Sequence, residues 1–353
     1  MLDLTRPPPD CPASATRRIE LHSRITVDPK TGYSPELKAR VEAEIARGKT
    51  FEPLAATDGD DAIPPRPELD PLDALEHDQP SIDLVLPGLA AGSVGSIISP
   101  GGAGKSILAL ELSLLITTGF DLSGFAAGGT YKRGAVGIAA AEDPVPAIAQ
   151  RLRSIGRDHL TPEQRQVFGR AITIEPLAGM KVNIMQRKWF NFFMRFAEGK
   201  RIVFLDTLRC IHLLEENDSG QMADLIGTMG MISTQTGCAL VFLHHTSKSS
   251  AINGQGGEQQ AARGSSVLTD NIRWQAFLAG CTKADAKERD IEEARRGFFV
   301  RVGISKQNFG VPVPEVWMRR VDGGVLVPAH LKTTSQVASR RSAKSGGKQR
   351  EES

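Results

Sequence analysis

From residue 94 onward, short apolar runs alternate with longer stretches whose apolar residues recur every three to four positions. The runs are 94–99 (VGSIIS), 135–141 (AVGIAAA), 171–177 (AITIEPL), 201–206 (RIVFLD) and 238–245 (CALVFLHH), and they predict strands. Between them lie 105–118 (KSILALELSLLITT), 145–156 (VPAIAQRLRSIG), 189–199 (WFNFFMRFAEG) and 222–237 (MADLIGTMGMISTQTG), which predict helices. Strands apolar on both faces and separated by helices predict an α/β fold, with a mostly parallel central sheet flanked by helices. Toward the C-terminus the pattern changes. Residues 265–280, 297–306, 315–320 and 323–328 predict antiparallel strands at that edge of the sheet. There is no internal repeat.

The two ends of the chain differ from this middle. Residues 1–80 hold 12 of the 21 prolines and 16 Asp/Glu against 10 Lys/Arg, and residues 331–353 hold 6 basic and 2 acidic residues. Segments so poor in large apolar side chains bury too little to offset chain entropy. Residues 1–80 are therefore expected to be a mostly disordered acidic extension, and 331–353 a disordered basic tail. One helix is expected at 34–47, capped by Ser34, opened by Pro35 and ended by Gly48. The folded domain is then 81–330, long enough for one sizeable core.

Composition narrows the function classes. A net charge of +2 over 353 residues excludes a grossly basic nucleic-acid binder, though not a local basic site. Aromatics at 5% leave few platforms for base stacking. No run of apolar residues is long enough to span a membrane, and the first ten residues (MLDLTRPPPD) lack the apolar core of a secretory signal. Cys11, Cys210, Cys238 and Cys281 form no CxxC pair or zinc spacing, and read as reduced thiols of a cytoplasmic protein.

The chemistry concentrates where the first run meets the first helix. Gly101, Gly102, Ala103, Gly104, Lys105, Ser106 and Ile107 follow a strand and open a helix, the setting of a phosphate-binding loop. The first position of the general pattern is Ser99 rather than glycine. The three glycines still let backbone N–H groups turn toward phosphate oxygens. Lys105 can reach the β and γ phosphates of ATP, Ser106 can hold Mg²⁺, and the helix N-terminus favours an anion.

Hydrolysis also needs carboxylates. Asp206 ends an apolar strand, which would bring it to the same sheet edge as a metal-side acid; the bland alternative is a solvated turn cap. No Glu follows it, so the water-orienting carboxylate is sought at Glu142, which ends the preceding strand and could otherwise be a helix-capping acid. Asp143 is expected to point away. Of His244 and His245 at most one should face the nucleotide edge, because successive strand residues point to opposite faces. The segments 207–221 and 246–264 read as long loops at that edge, functional or merely mobile. Arg263 and Arg273 follow; each is a candidate trans-acting finger or an ordinary strand-end arginine.

Taken in order, LPGLAAGSVGSIISPGGAGKS, AAEDP, VFLDTLR, EENDSGQMA, VFLHHTSK, RGSSVLTDNIRWQ and GISKQNFG resemble the RecA-like ATPases. More closely they resemble the RepA-type hexameric replicative helicases of broad-host-range plasmids, over roughly residues 82–328. The resemblance implies a RecA-like domain in a homo-hexamer with ATP and Mg²⁺ at subunit interfaces. It implies that Lys105 and Ser106 bind phosphate and metal, Glu142 activates water, Asp206 supports the metal and His245 senses the γ-phosphate. Arg273, with Arg263 second, would act in trans, and the two loops would follow single-stranded DNA. A primase or origin-binding initiator is the partner implied for the N-terminal extension.

Overall fold

The computed structural model describes residues 69–126, 129–245 and 267–331. The chain divides into two units, 1–79 and 80–353. In the first, a short helix α1 (Pro71–Glu76) lies within the segment whose composition predicts disorder; Asp70 caps it, accepting from the Leu72 and Asp73 amides. The helix expected at 34–47 lies outside the described residues, as does the tail from 332.

The second unit is built on a nine-stranded sheet of order β11-β10-β9-β8-β3-β7-β6-β4-β5. Its strands are β3 (Val94–Ser99), β4 (Ala135–Ala140), β5 (Ile172–Pro176), β6 (Lys200–Asp206), β7 (Ala239–His245), β8 (Trp274–Gly280), β9 (Phe299–Gln307), β10 (Val316–Arg320) and β11 (Leu326–Pro328). A two-stranded hairpin, β1 (Leu84–Leu86) with β2 (Leu89–Ala90), precedes them; its strands are too short for any periodicity to reveal. The strands from β8 to β5 in this order run parallel, while β9, β10 and β11 pair antiparallel. This is the expected α/β class, a mostly parallel central sheet with antiparallel strands at the C-terminal edge.

Two expectations need correction. Residues 265–280 are not one antiparallel strand. A single helical turn, α7 (Val267–Asp270), precedes β8, and β8 lies parallel to β3, with Gly95 opposite Trp274. The backbone of β8 satisfies β3 on one side and β9 on the other, so it joins the two halves of the sheet. The second correction is an additional helix. α3 (Val145–His159) is followed by α4 (Pro162–Ala171), which Thr161 caps in a reciprocal box with Gln164. That start signal is written in the sequence as Thr-Pro-Glu-Gln.

Alternation along the strands makes two cores. Ile202, Phe204, Val241 and Leu243 face one, whereas Val203, Leu205, Leu240 and Phe242 face the other. Each such side chain, fully buried, contributes about 1.5–3 kcal/mol. The first core receives α2 (Lys105–Thr118), which is buried almost all round because α4 and the sheet enclose it. The second receives α5 (Arg187–Ala197) and α6 (Ser219–Thr236). Trp274 lies against β3 so closely that a Cβ at Gly95 would sit 2.8 Å from its ring, and its indole N–H donates to the Pro87 carbonyl at 2.8 Å. A short helix α8 (Lys283–Glu288) closes the connection from β8 to β9. Among the described residues no helix is long and apolar enough to cross a membrane, and Cys210, Cys238 and Cys281 are free thiols.

Candidate active site

Because β3, β4, β6 and β7 are parallel, their C-terminal ends meet along one edge. Each ends in or is followed by a polar residue: Ser99, Glu142, Asp206 and His245. The loop from β3 to α2 crosses this edge. Gly102 and Gly104 adopt φ of +72° and +104°, the left-handed region where a Cβ is strained. Gly104 is the N-cap of α2 and no side chain caps the helix, so its first amides are left for an anion.

Lys105 lies buried at the bottom of a cavity of about 290 Å³. Its ammonium donates to Ser99 Oγ at 2.9 Å and to the Ser99 carbonyl at 3.3 Å. It also meets His245 Nδ1 at 3.2 Å. An ammonium can only donate, so in this contact Nδ1 is the acceptor. Burial pulls the Lys105 pKa down to about 8 against the opposing pull of Asp206 and Glu142. Ser99, the departure from the general phosphate-loop pattern, is therefore a holder of the lysine.

Asp206 is also buried, and its pKa is pushed up to about 6. Desolvation is the main cause; the Ser106 hydroxyl works against it by donating to the carboxylate, and the charges of Glu142 and Asp143 add to it. Such concentrated negative charge suits a divalent cation. One hydroxyl and one carboxylate fit Mg²⁺, which keeps water and phosphate oxygens for the rest of its shell.

Glu142 is exposed on the cavity wall. Asp143 does not point away as expected. It lines the same cavity and pairs with Arg151 of α3, because the chain turns at Pro144 into a helix that lies over the site. His245 faces the cavity and His244 is buried.

Of the expected nucleotide contacts, Gly102, Gly104, Lys105, Ser106 and Ile107 line the cavity, while Gly101 and Ala103 line a neighbouring one on the other side of the loop. Arg273 is elsewhere. It is exposed at the N-terminal end of β8, its amide donating to the Val94 carbonyl at 3.2 Å, five residues and ~17 Å down the sheet from Ser99. Arg263 and the whole 246–264 segment lie outside the described residues.

The other expected loop, 207–221, is shorter than the sequence suggested. Leu208–Cys210 form a helical turn, Ile211 and His212 are buried, and α6 already starts at Ser219 with Asp218 as its cap. Arg151, Arg320, Gly323 and Gly324 also line the cavity and were not anticipated. Only Arg151 carried a local signal, eight residues after Asp143 on the helix that follows it.

A family model, AAA_25 (AAA domain), matches residues 63–251. Among solved structures, one ATPase domain is 17% identical, covering 68% of this chain and 86% of that one with a TM-score of 0.47. A RadB recombinase is 13% identical, covering 66% and 90% with a TM-score of 0.44. A DnaB-like replicative helicase, solved with its interactions with primase, is 17% identical, covering 89% and 71% with a TM-score of 0.48.

Proposed function

This chain belongs to the AAA_25 family of AAA domains, and from that premise we propose that it is an ATP-dependent DNA helicase of plasmid-type replication, working as a homo-hexamer on single-stranded DNA. The observation that carries the reading is a division of the chemistry. One cavity gathers Lys105, Ser106, Glu142, Asp206 and His245, whereas Arg273 stands exposed at the opposite edge, beyond reach of that cavity within one chain. In a ring, the edge bearing Arg273 in one subunit can face the nucleotide of the next and add a cation to those the cavity already holds.

In this reading the residues 101–107 and Lys105 hold the ATP phosphates, and the lysine leaves Ser99 and His245 to do so. Ser106 and Asp206 hold Mg²⁺, which when bound neutralises charge on the phosphates. Glu142 takes the proton of the attacking water. His245, released from Lys105, donates from its ring to the γ-phosphate and registers its loss. Arg273 of the neighbouring subunit, or failing it Arg263, stabilises the transferring phosphoryl group. The short connection from β6 to α6 and the segment 246–264 after β7 follow the site, so in this reading a change at Asp206 or His245 moves backbone that contacts DNA. Residues 81–330 are the ATPase domain of this cytoplasmic protein; 1–80 are an extension for a primase or origin-binding initiator, and 331–353 a basic tail.

The test is light scattering on the protein with ATP and single-stranded DNA, followed by fork unwinding on the same sample. A six-fold mass and ATP-dependent strand separation are expected. Hydrolysis without unwinding would make the protein a RecA-like ATPase of recombination or regulation. A monomer under every nucleotide condition would overturn the ring.

A further inference from the structure

Arg320 is the last residue of β10, three strands from β3 and about 14 Å across the sheet. β10 is antiparallel to β9, which is antiparallel to β8, so β10 runs in the same direction as β3 and delivers Arg320 to the edge that carries the phosphate loop. There its Nη2 donates to the Ala103 carbonyl, and its Nη1 stands 3.3 Å from where a Cβ of Gly104 would be. The loop glycine thus also clears a path for this guanidinium.

Three features set Arg320 apart from a structural brace. It lines the same cavity as Lys105, Ser106 and His245. It is half-buried, burial moves its pKa downward, and it makes no direct ion pair among the described residues. Its donors outnumber the single carbonyl it meets. A partly desolvated guanidinium with no direct ion pair, beside an uncapped helix N-terminus, is placed to take an anion.

Its position is also fixed. Two turns along α2, the buried Glu111 accepts the Leu326 amide of β11 at 2.8 Å, so the β10–β11 hairpin is fastened to the helix of the phosphate loop. Gly323 and Gly324, in the turn of that hairpin, complete the cavity wall without side chains that would fill it.

We propose that Arg320 is a nucleotide ligand supplied by the chain's own C-terminal hairpin, exchanging the Ala103 carbonyl for the α- and β-phosphates of bound ATP or ADP. This rests on the cavity being the nucleotide site. The assignment to these phosphates follows from its place at Ala103 and Gly104, because the loop amides cradle the α- and β-phosphates. The contact therefore persists after hydrolysis, unlike one to the γ-phosphate.

The experiment measures binding of fluorescent ADP and of inorganic pyrophosphate to the full-length protein, R320Q and R320K, with thermal melting of each without ligand. Loss of a charge-assisted hydrogen bond predicts roughly 10–100-fold weaker binding of both ligands by R320Q, and a smaller loss for R320K, which keeps the charge but not the fork. ATP turnover by R320Q should show a raised KM with little change in kcat. Unchanged affinity in R320Q overturns the proposal, as does a lowered melting point with unchanged affinity, the signature of a mere brace. Weakened ADP binding with unchanged pyrophosphate binding overturns the phosphate assignment. Should R320Q not fold, R320K decides by the same pyrophosphate measurement. If the unsubstituted protein binds neither ligand, the nucleotide reading itself fails; if it binds both and the variants match it, only Arg320 is wrongly placed.

Discussion

Glu111 offers a sharp prediction, because its carboxyl group is buried in the middle of α2. Its Oε1 accepts the Leu326 amide, while Oε2 has no partner among the described residues. Desolvation raises its pKa well above 4.5; the Leu326 hydrogen bond works against this and the charge of Asp121 adds to it. The folded chain therefore keeps a proton that the unfolded chain releases above about pH 4.5.

With more protons bound when folded, stability falls as pH rises above the unfolded value, and continues to fall until the folded carboxyl ionises. Glu111→Gln keeps the acceptor for Leu326 and has no proton to lose. The two proteins should melt together near pH 4.5 and diverge above it, the glutamine variant being the more stable. While the folded wild type retains the proton, each pH unit adds about 1.4 kcal/mol to the difference. For a domain of this size that is about 3–5 °C in melting temperature per unit. Melting curves of both proteins at half-unit steps from pH 4.5 to 8, at constant ionic strength, measure it. A difference that stays constant across the range would refute a protonated Glu111, since a simple packing change does not titrate.

The catalytic assignments make two further predictions. Glu142→Gln should keep ATP affinity while turnover falls by roughly 10²–10⁴-fold, measured by nucleotide titration beside phosphate release; a parallel loss of binding would make Glu142 structural. Lys105→Ala and Arg273→Ala should each be inactive alone, the second by roughly 10³-fold or more, yet mixed rings should recover turnover. An interface between the two variants pairs an intact Lys105 cavity with an intact Arg273. Mixtures no more active than their components would remove Arg273 from the neighbour's site.

Residues 201–206 were legible as a strand because Ile202 to Leu205 are apolar on both faces, and only a sheet covered on both sides needs that. The cavity was legible for the same reason. Parallel strands end at one edge, so Lys105, Glu142 and Asp206 could be gathered from the order of motifs, while alternation left open which of His244 and His245 joins them. Asp143 was misplaced because strand alternation was extended past the end of β4, where the chain has turned into α3 and alternation no longer applies. Residues 265–280 were misread because strand composition does not encode direction. Whether β8 lies parallel or antiparallel to its neighbour depends on which neighbour it finds, and it finds β3 on one side and β9 on the other.

What the amino-acid order determined by itself is local: the phosphate loop between a strand and a helix, the period that separates the two core faces, and the caps that start α4 and α6. These follow from hydrogen bonds and spacings within a few residues. Arg320 against Ala103, Leu326 against Glu111, and the burial that moves Lys105 and Asp206 in opposite directions belong to the tertiary structure alone. The partners in the first two are more than 200 residues apart, and no periodicity reaches that far. Burial, likewise, is set by what packs over a group rather than by its neighbours in the chain.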